Sequence, residues 1–255
     1  MQAIFRFVRA AVAIIVVGSA ATFTQAAPIV FFGIDNLDLS GGGAHPNADS
    51  AAASFAAAAG SLATQDFEGF VPGAVPANFA VGSVNASYTS QATSYTQITN
   101  GPGGFSTFPV SGKQFIEGLS NQGSTYFTIG FDQSVRAMGF YISDASDWIG
   151  NAGPLANLLV NLTQLSGGAS LDLFGGLDAA TVNNANVAFF GVIDNANPIT
   201  GFSISSPASL PDADAIGFDR LQVAVAPAPR LDWLVLIGLV SLSAARRMRP
   251  QAVRA

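Results

Sequence analysis

"STYFTIGFDQSVRAMGFYIS", Ser124 to Ser143, is the stretch whose reading decides the fold. Thr125, Phe127, Ile129 and Phe131 alternate with Ser124, Tyr126, Thr128 and Gly130, the period of two expected of a half-buried strand. Met138, Phe140 and Ile142 then share one face of a following strand. Working outward, Leu158, Val160 and Leu162 repeat the pattern, as do Phe202 with Ile204 and Leu221 with Val223 and Val225. Clusters of Gly, Pro, Asn and Asp separate these runs. The sequence therefore predicts a mainly β protein, an antiparallel β-sandwich of jelly-roll type.

One segment breaks the pattern. In "GGGAHPNADSAAASFAAAAGSL", Gly41 to Leu62, an interior of alanines follows Asn47 and precedes Gly60, with Phe55 as the one large anchor. This predicts an early Ala-rich helix over about 47–59, capped by Asn47, stopped by Gly60 and packed on the sandwich. "FFGIDN" (Phe31 to Asn36) is echoed by "FFGVIDN" (Phe189 to Asn195), read here as two similar strand-turn units. The chain of 255 residues has no cysteine, so its core alone must hold it together, which a body of this size can do.

Charge divides the chain into a body and two ends. Between Pro28 and Pro229 lie fifteen of the sixteen acidic residues and only Lys113, Arg136 and Arg220 among the basic ones. Such a body cannot neutralise phosphates, which excludes nucleic acid as a partner. The ends are basic, and each adjoins an apolar run. Arg6 and Arg9 precede "AAVAIIVVGSAA" and then "TFTQAAP", the layout of a signal peptide over residues 1–26 with cleavage after Ala26 by signal peptidase. At the other end "LDWLVLIGLVSLSAA", Leu231 to Ala245, would span roughly 22 Å as a helix, short of a hydrocarbon core of roughly 30 Å. Trp233 stands where an interfacial aromatic would, and Arg246, Arg247 and Arg249 would stay cytoplasmic, leaving the acidic body outside.

A hinge at 226–230, a transmembrane segment at 231–245 and a basic end at 246–255 together resemble the sorting tail of bacterial PEP-CTERM proteins. Pro227 and Pro229 match the two prolines of that motif, and Ala228 stands where it has glutamate. The resemblance implies an exosortase-type membrane protease as a partner beside the export machinery. It also implies an inner-membrane precursor in a Gram-negative-type bacterium that ends at the cell surface or in the extracellular matrix. Persistence of the tail as a plain membrane anchor is the alternative. Inside the body (27–225), "FFGIDNL", "DFEGF" (Asp66 to Phe70), "STFPVSGKQF" (Ser106 to Phe115), "FTIGFDQSVRAMGFYISDASDW" and "AIGFDRLQV" follow one another in an order similar to that of a group of PEP-CTERM surface proteins.

Three functions fit these features: a non-catalytic surface or matrix protein associated with exopolysaccharide, a carbohydrate-binding module, or a glycoside hydrolase. The module would use aromatics such as Tyr141 and Trp148 exposed on one rim, with Asp144 and Asp147 beside them. The hydrolase would set Asp144 and Asp147 across a cleft. His45 is the only histidine, so any Ser-His-Asp triad would depend on it, and zinc lacks the His and Cys ligands it needs. By analogy with the structural calcium of jelly-roll carbohydrate-binding modules, Asp66, Glu68 and Asp219 are candidate calcium ligands, since calcium takes several hard oxygens and tolerates loops. The plainer alternative places Asp66 and Glu68 outward on a strand and Asp219 at a turn or beside Arg220.

Overall fold

A computed structural model describes residues 27–36, 43–91, 95–104, 106–120, 124–145, 158–173, 185–205 and 214–227. Among these residues the order is β1 (Ile29–Asp35), α1 (Pro46–Ala59), β2 (Ala63–Gln65), β3 (Asn78–Val81), β4 (Val84–Ser90), β5 (Tyr95–Asn100), β6 (Gln114–Ser120), β7 (Thr125–Ser143), β8 (Leu159–Gln164), β9 (Gly168–Asp172), β10 (Val187–Ile193), β11 (Ile199–Ser205) and β12 (Asp214–Val225). All the pairings between them are antiparallel.

The opening stretch is one strand where the sequence reads as two. β7 runs unbroken for 19 residues, because neighbours on both sides pair with each of its halves. β4 and β11 flank its first half and β10 and β12 its second. It thereby belongs to two layers at once. The first runs β9-β8-β11-β7-β4-β3, and the second runs β1-β10-β7-β12-β6-β5, with β2 also on β12.

The layers share one core. Phe127 and Phe202 of the first meet Phe140 and Phe218 of the second: Phe127 and Phe218 centroids lie 5.0 Å apart, and Phe140 stacks on Phe202 at 5.4 Å. Met138 and Ile142, Val160 and Leu162, Ile204, Leu221 and Val223 enter the same cluster, as their alternation predicts. Val225 does not; a register shift at Ala224 turns it toward solvent, 40% exposed.

β10 is buried along its whole length, because it is covered on both faces. Phe190 and Val192 face the shared core, whereas Val187, Phe189 and Ile193 meet α1 on the other side. The predicted helix is present, and Phe55 is its anchor. Gly191 and Gly139 are directly paired, and a Cβ on either would stand within 3.0 Å of the Phe55 ring. Gly33 serves α1's first turn likewise, since a Cβ there would lie 2.3 Å from the Asn47 carbonyl oxygen. Gly60, at φ 73°, ends the helix as expected.

The start of α1 departs from expectation. Asn47 lies inside the helix rather than capping it, and the cap comes from another strand. Asp35, at the end of β1, accepts the N–H groups of Asn47 and Ala48 at 3.1 and 2.8 Å. A carboxylate there meets both the unpaired amides and the positive end of the helix dipole. Asp35→Ala is expected to cost about 2 kcal/mol, read as a lowered urea midpoint, with Asp35→Asn milder. An unchanged midpoint would count against this account of the cap.

The echoed "FFG" units turn out to be partners. β1 pairs with β10 so that Phe32 faces Phe190, and each unit ends in an aspartate that collects backbone N–H groups. Asp194 takes those of Ala196 and Asn197, as Asp35 takes those of α1. No helix among the described residues is long and apolar enough to cross a membrane. Residues 1–26 and the tail from Ala228 onward, with Ala26, Ala228, Pro229, Arg246, Arg247 and Arg249, lie outside the described residues; Pro227 closes them.

Candidate functional site

The carboxylates proposed for calcium hold backbone instead. Glu68 accepts the N–H groups of Lys113 and Gln114 through one oxygen, at 2.6 and 2.7 Å. Asp219 accepts those of Val110 and Ser111 at 3.0 and 2.9 Å, and its other oxygen takes that of Arg220 at 2.7 Å. Asp66 closes a turn onto the Glu68 N–H at 3.2 Å. Among the described residues no three His, Cys, Asp or Glu side chains gather where a metal ion would sit. That corrects the expectation of a metal trio at Asp66, Glu68 and Asp219. "DFEGF" and "GFDRL" do converge in space, but on the amides of "STFPVSGKQF", which supply the positive poles that a cation would have supplied. Gly112 lets the segment through: a Cβ on it would fall 2.3 Å from a Glu68 oxygen.

Asp219 sits in a second group of polar side chains. A bulge in β12 between Asp219 and Gln222 places Arg220 at φ 52°, an unusual conformation for a residue with a side chain. Asp219 lies directly across from Tyr141, and the Arg220 guanidinium stands 5.7 Å over the Tyr141 ring. The Tyr141 hydroxyl donates to Asp49 of α1 at 2.9 Å, and the same Asp49 oxygen is 3.1 Å from Nδ1 of His45. Burial pushes the Asp219 carboxyl up to about 7 against its three N–H donors. Burial, and then Asp49, hold the Tyr141 phenol well above its ordinary range.

This group fastens the first turn of α1 to β7 and β12. It also corrects the expectation for Tyr141, which is 2% exposed and cannot serve as an open platform for a sugar ring. Asp144 is buried as well, at φ 59°, with one oxygen accepting the Ala185 N–H at 2.7 Å. Asp147 and Trp148 lie outside the described residues. His45, Asp49 and Arg220 were not legible as partners of Tyr141, because no spacing along the chain links them.

The two layers differ on their outer faces. α1 covers β1, β10 and part of β7 in the second layer, leaving beside β1 an open groove of about 440 Å³ lined by Val30, Phe31, Gly33, Asn47, Ser50 and Ser54. No described helix packs on the outer face of the first layer. Strand alternation sends that layer's phenylalanines and most of its aliphatics inward, and what remains outside is mostly small and polar, with Leu159 paired to Asp172 at one margin. One row across neighbouring strands reads Ser170, Asn161, Ser203, Thr128, Thr89. The next reads Gly168, Thr163, Gly201, Gly130, Ser87, Asn78. Several members are tied to one another: Asn161 donates to Ser205 at 3.0 Å and accepts from Ser170 at 2.8 Å. Asp132, paired with Asn85 at the rim, supplies a charge there. This face, an array of hydroxyls and amides held in register, is the candidate binding surface.

No family model matches the chain, and no curated sequence does. Among solved structures it is similar to a family 11 carbohydrate-binding module from Clostridium thermocellum in complex with a β-1,3-1,4-mixed-linked tetrasaccharide. The identity is 9%, over 65% of this chain and 96% of that one, with a TM-score of 0.31. It is also similar to the family 11 module of the cellulosomal cellulase Lic26A-Cel5E of Clostridium thermocellum, at 9% identity over 67% of this chain and 98% of that one, TM-score 0.31. Similarity at that level transfers no ligand to this chain.

Proposed function

We propose that this chain is a non-catalytic, polysaccharide-binding domain of an exported bacterial surface protein, a jelly-roll-type sandwich delivered by its signal peptide and PEP-CTERM-like tail. The observation that carries the reading is the outer face of the first layer, where Ser170, Asn161, Ser203, Thr128, Thr89, Thr163 and Ser87 present hydroxyls and an amide from adjacent strands. Such groups exchange hydrogen bonds with water for hydrogen bonds with a hydroxylated polymer at little cost in charge desolvation. The buried carboxylates fit a non-catalytic role. Asp144, on which a glycosidase reading rests, holds the Ala185 N–H, and Asp219 holds a loop.

The test is retention of the full-length protein on immobilised neutral polymers (dextran, pullulan, mixed-linked β-glucan) against acidic ones (alginate, polygalacturonate). Retention on at least one neutral polymer, competed by the same polymer in solution and insensitive to salt, is expected. Passage through every neutral column, or retention lost by 0.5 M salt, would overturn the reading, since a salt-sensitive contact is an ionic one.

A further inference from the structure

The two rows on the first layer differ in the middle. Where the outer row carries Ser203 and Thr128, the inner one carries Gly201 and Gly130 side by side on β11 and β7. The centre of that row therefore carries no side chain, Gly130 being half-buried and Gly201 buried, with the exposed Thr163 and Ser87 at its two shoulders. On one side stand Asn161, Ser203 and Thr128, and on the other the Asn85–Asp132 pair. Rows of the same face are two residues apart, so the flanking rows are separated by roughly 13 Å, and the six strands span roughly 24 Å across. A strip of these dimensions has room for one extended chain lying across the strands, not two.

We infer that an unbranched, neutral polysaccharide lies across the strands of the first layer along Thr163, Gly201, Gly130 and Ser87. This rests on the polysaccharide-binding reading and names the polymer's charge, shape and direction. The charge pattern of the face selects the ligand. Neither row contains Lys or Arg, Asp132 is ionisable at the rim, and the body as a whole is strongly acidic, so an anionic polymer is repelled and a neutral one is not. The chemistry of the face agrees. Thr89, Thr128 and Thr163 are exposed, so their hydroxyls stand where a ligand can reach them, while Asn161 is held by Ser170 and Ser205 in one orientation. The absence of a side chain at Gly130, where a Cβ would meet only the Ser87 hydroxyl within 4 Å, lets the rings of a flat chain approach the sheet there, whereas branches would strike the flanking side chains.

A length series of oligosaccharides from the best neutral polymer, titrated calorimetrically against the full chain, tests the inference. Affinity is expected to rise with each added sugar until the oligomer reaches roughly 24 Å and then to level off. Thr163→Val and Thr128→Val, nearly isosteric, are each expected to weaken binding about threefold to tenfold. Gly130→Val raises a branched side chain at the centre of this strip and is expected to abolish binding; the Ser87 hydroxyl, 2.8 Å from a Cβ built there, is the end of a side chain that can turn away. Ser54→Arg, which blocks the separate groove beside β1, is expected to change nothing.

If the polymer binds the wild type but affinity ignores length, or if both threonine variants and Gly130→Val bind like the wild type with normal melting, this placement is overturned while polysaccharide binding stands. If Ser54→Arg abolishes binding instead, the β1 groove is the site. If the wild type binds no neutral polymer, the broader reading falls and this inference with it. A dimer in sedimentation that Gly130→Val dissociates would assign the face to a second copy of the chain and overturn the proposal.

Discussion

Phe218→Ala is expected to cost about 3–5 kcal/mol, a large share of the stability of an ordinary domain. Phe218 is fully buried in β12 and touches rings from both layers: Phe127 and Phe140 at 5.0 Å, Phe67 at 5.9 Å and Phe202 at 6.2 Å. Removing it leaves a cavity walled by rigid rings on extended strands, which cannot collapse to fill it. Guanidinium titration should show a lower midpoint with an unchanged slope. Phe218→Leu, which keeps most of the volume, should lose much less, and Val225→Ala, half in solvent at the end of the same strand, should change stability by less than about 0.5 kcal/mol. A loss below about 1 kcal/mol for Phe218→Ala would mean that the layers are not joined through this cluster.

The second large effect is a dependence of stability on pH through Asp219. Burial raises its carboxyl in the folded protein from the ordinary 3.8 to about 7, so between those values the folded state holds a proton that the unfolded chain has released. Its contribution is therefore complete below about pH 4 and is lost as pH rises through 7, of the order of 4 kcal/mol in all. Asp219→Asn cannot ionise and should remove that slope. The observable is the difference between wild-type and variant unfolding free energies, measured from pH 4 to pH 8. It should fall steadily with rising pH, and a flat difference would show that the three backbone donors offset the burial completely.

The same residue shows how far sequence alone reaches. "GFDRL" marks Asp219 as a polar residue within an apolar strand, and "DFEGF" marks Glu68 similarly, but nothing local says what these carboxylates face. Calcium and backbone amides satisfy a carboxylate by the same electrostatics. The choice was made by where "FPVSGK" passes, more than a hundred residues from Asp219 along the chain. Tyr141 gives a parallel case. Its alternation with Phe140 and Ile142 places it on the opposite face of β7, and only the docking of α1 turns that face from a solvent surface into an interior.

What the sequence by itself determined is whatever depends on neighbours a few residues away. The period of two in "STYFTIGFDQS" made strands, the alanine run closed by Gly60 made a helix with Phe55 as its anchor, and fifteen acidic against three basic residues in the body set its acidity. Tertiary structure alone decided that β7 continues through both layers, that the two "FFG" units pair with each other, that Asp35 rather than Asn47 caps α1, and that Gly201 comes to lie beside Gly130. The physical reason is that alternation fixes which face a residue occupies but not which strand lies beside it. Register is set by the summed packing of distant segments, and in a protein made of long-range antiparallel pairs the binding surface is written in register.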